Sequence, residues 1–250
     1  MAGAGYLGLG VALWHFQDSL ILHPSATPAG PNALVLGGRY VGQVHEPAGA
    51  ARGTVVFYHG NGGTVADRAF VAEAATALGY RVVLIEYQGY GARAGVARLA
   101  EYGARSVADF DLVRAHFPGQ PIAVAGESFG AGMAAVVAGA RAGQVCSVTL
   151  ITPWNRLSEL VQEKLPMFPA RLLLKAEYAS DLELKPYTGP VTIVAGELDT
   201  MILPHHARRL VTAHAGARFE LLPAVGHNTW PQRVDGASWQ RWLSTGCTAS

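Results

Sequence analysis

Cysteine is scarce in this sequence, and its scarcity excludes a fold that depends on a framework of several disulfides. The 250 residues include two cysteines, Cys146 and Cys247, which are too few for the disulfide framework of a small secreted domain. Cys146 lies in an apolar, strand-like run and Cys247 lies near the C-terminus. The sequence therefore favours two free thiols, and neither has a metal-ligating neighbour along the chain.

Charge is also sparse. Charged residues make up 15% of the chain, and they nearly balance to a net charge of +1 with a pI near 7.9. This gives no electrostatic reason to expect nucleic acid as a partner. Half of the residues are hydrophobic, so a chain of this length can form one large domain with a sizeable core.

The first sixteen residues contain no Asp, Glu, Lys or Arg and are strongly apolar. The stretch is shorter than the roughly 20 residues that a helix needs to span a bilayer, and it lacks the basic start of a secretory signal. Three interpretations stay open: a short membrane-contacting segment, a clipped anchor, or an apolar helix packed on the domain. We separate residues 1–24, with peripheral membrane contact as one expectation, from a main domain at 25–250. Cytoplasmic and membrane-associated locations both remain open.

From residue 39 onward, apolar strand-like runs alternate with longer helical patterns. The predicted strands are Tyr40–His45, Thr54–Tyr58, Arg81–Tyr87, Pro121–Gly126, Val145–Ile151, Val191–Ala195 and Arg218–Leu222. The predicted helices are Val65–Leu78, Tyr102–Phe117, Phe129–Arg141 and Pro204–His214. Nearly continuous runs of Val, Ile and Leu are typical of strands buried on both faces of a parallel sheet, so the pattern predicts a doubly wound, mostly parallel α/β domain. Residues 153–190 contain no strand pattern and several prolines, which predicts a short helical cap insertion.

One strand-to-helix junction carries a serine between glycines. It reads Gly126-Glu127-Ser128-Phe129-Gly130. A Gly-x-Ser-x-Gly segment between a strand and a helix places the serine on a tight turn that exposes its hydroxyl, because the turn leaves no room for a Cβ on either side. The simpler interpretation is a glycine-rich turn without a catalytic role. The residues in the neighbouring loops are needed to distinguish the two interpretations.

Polar residues follow three other predicted strands. The loop His59-Gly60-Asn61-Gly62-Gly63 offers the inward-facing backbone N–H groups that an oxyanion hole requires. Asp199 and His227 lie in the loops after the last two predicted strands. Catalytic groups of open α/β sheets collect beyond the carboxyl ends of the strands, so these loops predict a single site together with Ser128.

Together these motifs resemble those of a serine hydrolase of the α/β-hydrolase superfamily, with the nucleophile, acid and base in the usual chain order. The resemblance is to the bud-emergence-type and acyl-protein-thioesterase-like branch, which is kin to lysophospholipases and monoacylglycerol lipases. It rests on residues 16–24, His59-Gly60-Asn61-Gly62, Tyr87-Gln88-Gly89-Tyr90-Gly91, Gly126-Glu127-Ser128-Phe129-Gly130, Gly196-Glu197-Leu198-Asp199 and Gly226-His227-Asn228. The chain departs from this branch at Gln88, where arginine is frequent, and at Arg93, where a small residue is common.

The resemblance implies an α/β-hydrolase fold and a specific set of roles. Ser128 is the expected nucleophile, His227 the base and Asp199 the acid that orients it. The backbone N–H groups of Asn61 and Phe129 are the expected oxyanion hole. The implied reaction is hydrolysis of a carboxylic ester or thioester through an acyl-enzyme, with neither metal nor cofactor.

Several polar residues compete for these roles. Glu197 follows the same strand as Asp199 and could serve as the acid. His205, His206 and His214 lie within or at the start of a predicted helix, where a solvent-facing or capping role is the simpler interpretation. His205 and His206 are adjacent, so on a helix they should point in different directions and make a poor metal pair. His59 is expected to brace the oxyanion loop.

Two functions of other classes are alternatives. Gly89–Ala94 fits a dinucleotide-binding fingerprint with Asp109 and Asp111 about 20 residues further on. Gly95 interrupts any helix that would open at that loop, and the loop does not belong to the first βα unit. A non-catalytic hydrolase-like binding protein is the other alternative.

The substrate expectation comes from the insertion. Its many apolar residues predict one wall of an acyl pocket, with Tyr90, Trp154, Leu157 and Phe168 as candidate substrate contacts. The insertion is too short for a closed lid, so short to medium acyl esters are expected, with an acyl-protein thioesterase or lysophospholipase-like lipid hydrolase as the alternative. The partner is thus a small acyl ester or lipid-like molecule. The sequence says nothing about the oligomeric state.

Overall fold

A computed structural model describes residues 2–243 and residue 247 of the chain. Within this part, one sheet contains the strands β1 (Ala33–Leu36), β2 (Arg39–His45), β3 (Thr54–Tyr58), β4 (Arg81–Ile85), β5 (Ile122–Glu127), β6 (Ser147–Ile151), β7 (Val191–Gly196) and β8 (Arg218–Leu222). Their order across the sheet is β1-β2-β4-β3-β5-β6-β7-β8. The β1–β2 and β2–β4 pairs are antiparallel, and all later pairs are parallel. The predicted α/β-hydrolase fold with a mostly parallel sheet is confirmed.

Helices cover both faces of this sheet. They are α1 (Ala2–Ile21), α2 (Ala69–Ala77), α3 (Leu99–His116), α4 (Phe129–Ala140), α5 (Leu157–Lys164), α6 (Ala170–Leu173), α7 (Ser180–Glu183), α8 (Pro204–Ala213) and α9 (Gly236–Leu243), with short 3₁₀ helices at Val65–Arg68 and Trp230–Arg233. Helices α3, α4 and α8 contribute to the apolar core on one face, while α2 and α9 contribute to the core on the other. The central strands β3, β5, β6 and β7 are buried along their whole length, which explains their nearly continuous apolar sequences.

The segment between β6 and β7 is helical and contains α5, α6 and α7. The N-terminal helix α1 packs against it. The Tyr6 hydroxyl donates a hydrogen bond of 2.7 Å to the carbonyl of Met167, and its ring stacks on Phe168 with 4.8 Å between centroids. Gln17 also donates to the carbonyl of Leu173. Among the described helices, none is both long enough and apolar enough to cross a membrane.

The two cysteines correct the expectation of free thiols. Cys146, just before β6, and Cys247 form a disulfide with 5.1 Å between their Cα atoms. Their sequence separation is 101 residues, so no local pattern indicated that they would meet. The bridge ties the chain beyond α9 to the start of a central strand.

Candidate active site

Ser128 lies on a sharp turn between β5 and α4. Its backbone has φ 52° and ψ −116°, a region that side-chain-bearing residues rarely adopt and that costs on the order of 1–3 kcal/mol. A Cβ at Gly126 would collide with the carbonyl of Gly130, and a Cβ at Gly130 would collide with the carbonyl of Tyr58. The two glycines are therefore required by the close approach of the backbone on both sides of the serine.

Three side chains from separate loops form a continuous hydrogen-bonded chain. The Nε2 atom of His227 lies 2.9 Å from the Oγ of Ser128. The Nδ1 atom of the same ring lies 2.7 Å from Oδ2 of Asp199. Asp199 is 1% exposed and His227 is 8% exposed, so both are shielded, whereas Ser128 is only partly buried.

Asp199, not Glu197, faces the histidine. The second carboxylate oxygen of Asp199, Oδ1, accepts the backbone N–H groups of Met201 at 2.9 Å and Ile202 at 2.8 Å. Those bonds leave Oδ2 free to point at His227. The Glu197 carboxylate instead accepts the backbone N–H of Ala224 on the exposed side of the same loop.

The two backbone amides expected in the oxyanion hole are available. Among the described residues, no acceptor lies within hydrogen-bonding distance and angle of the N–H of Asn61 or of Phe129. In contrast, the backbone N–H of Ser128 donates a hydrogen bond of 2.8 Å to the carbonyl of Ile151. Unpaired N–H groups beside a nucleophile are what an oxyanion requires.

The side chain of Asn61 anchors its loop to two distant segments. Its Nδ2 donates to the carbonyl of Ile21 at the end of α1. Its Oδ1 accepts the Tyr90 hydroxyl at 2.9 Å and the backbone N–H of His23 at 3.2 Å. Burial raises the pKa of Tyr90 to about 12, so the phenol remains protonated and can donate at neutral pH.

Glu127, the residue before the serine, braces the other side of the same loop. Its Oε1 accepts the backbone N–H of Gly60 at 3.1 Å and Nε of Arg68 at 2.5 Å. Its Oε2 accepts Nε1 of Trp230 at 3.1 Å. Arg68 also donates to the carbonyl of Gly62. The motifs in the sequence did not indicate these roles of Glu127; its position next to Ser128 is the signal that could have indicated them.

Beneath the loop lies a buried pair, His59 and Glu86. Nε2 of His59 is 3.0 Å from Oε1 of Glu86, and both side chains are at most 1% exposed. Nδ1 of His59 lies 2.6 Å from the carbonyl of Gly60. Both ring nitrogens of His59 thus face partners other than Ser128, whose Oγ bonds His227.

A cleft of about 520 Å³ opens beside Ser128 and His227, within the size range of small-ligand sites. Its wall is formed by His23, Gly60, Asn61, Gly62, Asp67, Arg68, Phe70, Glu127, Ser128, Thr152, Met201, His227, Asn228, Trp230 and Pro231. The Phe70 and Trp230 rings meet edge to face with 5.5 Å between centroids. They make the aromatic side of the cleft.

None of the four expected substrate contacts lies in this wall, which corrects that expectation. Trp154 is buried against α4 and donates to the carbonyl of Tyr178 at 3.1 Å. Leu157 is buried in the core. Tyr90 is buried behind Asn61. Phe168 lines a separate apolar cavity of about 60 Å³ between α1 and the insertion.

The three histidines that competed with His227 for the role of base, His205, His206 and His214, are absent from the wall of the cleft. His214 Nε2 is 2.9 Å from the carbonyl of Tyr187. The rings of His205 and His206 stack with 4.4 Å between centroids, and both reach Glu163 on α5. The expectation that these adjacent histidines would point in different directions is therefore wrong.

The glycine-rich loop after β4 has no helix opening at it, because α3 begins only at Leu99. Arg93 from this loop pairs in a bidentate fashion with Asp109, at 2.6 and 2.7 Å. The loop thus lacks the helix N-terminus on which a dinucleotide pyrophosphate would sit.

Comparison with known proteins identifies the family of this chain. The family model described as serine aminopeptidase, S33 (Hydrolase_4) matches residues 49–188. An uncharacterized protein of Mycobacterium tuberculosis (strain H37Rv), Rv2307c, is 32% identical over 250 residues that cover 92% of this chain and 86% of that protein. The chain belongs to this S33 family of α/β-hydrolases.

Solved structures share the fold of this S33-family chain. Est1E from Butyrivibrio proteoclasticus, solved with ferulic acid, superposes with a TM-score of 0.71 at 15% identity, covering 85% of this chain and 98% of that one. A membrane phospholipase A described as a bacterial virulence factor has a TM-score of 0.64 at 14% identity, with coverage of 97% and 96%. At these identities the likeness establishes the architecture alone.

Proposed function

We propose that this protein hydrolyses carboxylic esters, including thioesters, through an acyl-enzyme formed on Ser128. The observation that carries the proposal is the hydrogen-bonded chain from Ser128 Oγ through His227 to Asp199, with distances of 2.9 and 2.7 Å. A nucleophile in contact with a base, which a third group orients, is the arrangement that activates a serine hydroxyl.

The reaction begins when Ser128 Oγ attacks the substrate carbonyl carbon and gives its proton to Nε2 of His227. Asp199 holds Nδ1–H of the imidazole, so that Nε2 presents its lone pair, and it stabilises the imidazolium that forms. The carbonyl oxygen becomes an oxyanion that accepts the N–H groups of Asn61 and Phe129. Each such donor contributes about 3–4 kcal/mol in other hydrolases.

Collapse of the tetrahedral intermediate breaks the bond to the leaving group. The proton on His227 passes to the departing alkoxide or thiolate, which leaves as an alcohol or thiol. His227 then takes a proton from water, the resulting hydroxide attacks the acyl carbon, and Ser128 regains its proton as the acid departs.

The cleft supports small to medium substrates. The apolar side chains in its wall are few, chiefly Phe70, Trp230, Pro231 and Met201, and the other lining residues are polar residues or glycines. We propose esters of short to medium acyl chains, with acyl-protein thioesters and lysophospholipid-like esters as the alternative that the branch resemblance suggests. Because the family is described as serine aminopeptidases, an aminoacyl anilide must be tested as a third kind of substrate.

A fluorophosphonate probe tests the enzyme assignment most directly. The wild-type protein should be labelled on Ser128, and Ser128→Ala should lose both labelling and ester hydrolysis while its free energy of unfolding changes by less than about 1 kcal/mol. Ser25→Ala, at an exposed serine, is the matched control. Absence of labelling in the wild-type protein would support the non-catalytic alternative.

Chain-length preference is measured with p-nitrophenyl esters from acetate to palmitate, beside an acyl thioester and an aminoacyl p-nitroanilide. We expect kcat/KM to peak at short or medium chains. A marked preference for palmitate over butyrate would refute the substrate proposal, and faster anilide cleavage would move the function toward peptidase chemistry.

We also propose that the protein contacts a membrane surface peripherally through α1. The helix exposes Leu7 and Val11, 70% and 66% exposed, and the neighbouring insertion exposes Met167 and Leu172, 76% and 79% exposed. An exposed apolar patch of this kind marks an interaction surface. Vesicle co-sedimentation should weaken on Leu7→Asp, whereas Val96→Asp, at a comparably exposed position elsewhere, should have no effect. Equal binding by both variants would reject this contact.

A further inference from the structure

Outside the cleft, one cluster joins three metal-ligating side chains from two elements. Glu163 lies on α5 of the insertion, and His205 and His206 lie in the first turn of α8. Nε2 of His205 is 2.9 Å from Oε1 of Glu163, and Nε2 of His206 is 3.2 Å from Oε2 of the same carboxylate. The three ligating atoms lie within 4.8 Å of one another.

The hydrogen bonds around His206 fix its proton. Nδ1 of His206 faces Oδ1 of Asn155, and the orientation of that amide follows from its Nδ2, which donates to Oε2 of Glu159 at 2.7 Å. Because a carbonyl oxygen only accepts, Nδ1 carries the hydrogen. In the neutral ring Nε2 then presents a lone pair toward the Glu163 carboxylate.

Two lone pairs that face each other need a cation or a second proton between them. His206 is fully buried, and its Nε2 lies 3.2 Å from Oε2 of Glu163. This imidazole nitrogen and the carboxylate can therefore act together as ligands of one cation.

We propose that Glu163, His205 and His206 bind a divalent transition-metal ion, with Zn²⁺ as the ion that this donor set fits. Two imidazole nitrogens and a carboxylate are a frequent zinc ligand set, and bonds of about 2.0–2.1 Å in a tetrahedron place ligand atoms about 3.3 Å apart. The contacts of 2.9 and 3.2 Å to Glu163 are close to that spacing.

The surroundings have the features of a metal site. A ligating histidine usually donates its other ring N–H to an oxygen that fixes its orientation, and Asn155, which is 3% exposed, does this for His206. The His205 and Glu163 side chains are 38% and 32% exposed, which gives an ion access from solvent and leaves a coordination position for water.

The position of the site indicates what the ion would do. Helix α8 follows the loop that carries Asp199, and Lys164 next to Glu163 already donates to the carbonyl of Thr200 in that loop. An ion held by Glu163, His205 and His206 fastens the insertion to the start of α8. Its expected effect is on stability, and the inference does not depend on the proposed ester hydrolysis.

The test uses the full chain without an affinity tag, treated with a chelator and then dialysed against Zn²⁺ at pH 7.5. We expect one Zn²⁺ per chain by elemental analysis. At a Zn²⁺ concentration about 100 times Kd, Tm should rise by about 5 °C or more. His205→Ala and Glu163→Gln, both at partly exposed positions that should tolerate substitution, should weaken Zn²⁺ binding at least about tenfold.

Two controls separate this site from other histidines. His116→Ala removes an exposed imidazole on α3 and should bind Zn²⁺ normally. His227→Ala should also bind normally, since the ion is not expected in the cleft. Absence of stoichiometric binding by the wild-type protein, or equal binding by His205→Ala and Glu163→Gln, would overturn the proposal.

Discussion

Replacing Glu127 with glutamine keeps the shape of the side chain and removes one of its acceptor oxygens. The carboxylate accepts three donors, from the backbone of Gly60, from Arg68 and from Trp230. Glutamine can present its single oxygen to the first two donors only by turning its NH₂ group toward the indole N–H of Trp230, and two donors would then face each other.

The structure gives a magnitude for this change. Glu127 is 8% exposed and its partner Arg68 is 15% exposed, so the lost charge-assisted bond and the donor–donor conflict are poorly screened. Each contributes about 1–3 kcal/mol, and we expect Glu127→Gln to lower the free energy of unfolding by about 3 kcal/mol. Gly60 directly precedes Asn61, so the Asn61 N–H, which we propose as an oxyanion donor, should lose its fixed position. We therefore expect kcat to fall tenfold to hundredfold, which corresponds to about 1.4–2.8 kcal/mol. This is less than the cost of removing an oxyanion-hole donor altogether.

The assay combines ester-hydrolysis kinetics with denaturant unfolding in a double-mutant cycle. Trp230→Phe removes the indole donor, so it should relieve the conflict in the Glu127→Gln background. The double variant should be more stable than the sum of the single effects by about 1–2 kcal/mol. KM should change less than kcat, because the role proposed for this loop is to stabilise the transition state.

Two results would refute this reasoning. If Glu127→Gln loses stability while kcat stays within twofold of wild type, the carboxylate supports the fold without positioning the loop. If the effects of Glu127→Gln and Trp230→Phe simply add, the donor–donor conflict does not arise.

Three further predictions concern Asp199, the disulfide and the turn that carries Ser128. Asp199→Asn should lower kcat by about 10⁴-fold because the amide favours the wrong imidazole tautomer, while Glu197→Gln should cost far less; the reverse ranking in steady-state kinetics would move the acid to Glu197. Cys146→Ser combined with Cys247→Ser should lower the free energy of unfolding by about 2–4 kcal/mol, and an unchanged non-reducing denaturation curve would contradict the bridge. Gly130→Ala should abolish most activity and lower stability by at least about 2 kcal/mol, since its Cβ would meet a β3 carbonyl; near-normal kcat would disprove that close approach.

The sheet was largely predictable because strands buried on both faces leave nearly continuous apolar runs. β3 and β8 have the predicted limits, and the other predicted strands differ by one to two residues at an end. β1 (Ala33–Leu36) was missed. It is a four-residue edge strand with only alternate residues buried, so its sequence carries no long apolar run.

The loops of the site were predictable for a different reason. Parallel strands end at the same edge of the sheet, so residues that directly follow them are brought together whatever their distance in sequence. Position after a strand does not give the direction of a side chain inside a helical insertion. Trp154 turns toward Gly132 of α4, where no Cβ occupies the space, and so it packs into the core and not into the cleft.

The paired histidines show the same limit. Consecutive helical residues differ by about 100° in direction, which argued against a shared ligand. His205 and His206 lie in the first turn of α8, and the long Glu163 side chain presents a different oxygen to each ring. The two rings share a partner only because Glu163, 42 residues away from His205 in sequence, lies next to both of them. The local sequence pattern around the histidines could not have predicted this contact.

Contacts of Asn61, whose N–H we propose as an oxyanion donor, link the N-terminal segment to the candidate site. The Asn61 side chain is bonded to the carbonyl of Ile21, to the backbone N–H of His23 and to the Tyr90 hydroxyl. The division of the sequence at residue 24 reflects a change in composition, whereas these contacts cross it. An oxyanion donor is effective only when its position is fixed before the charge develops. A displacement of α1, on a membrane or otherwise, would therefore shift the backbone N–H of Asn61, because the Asn61 side chain is bonded to the end of that helix.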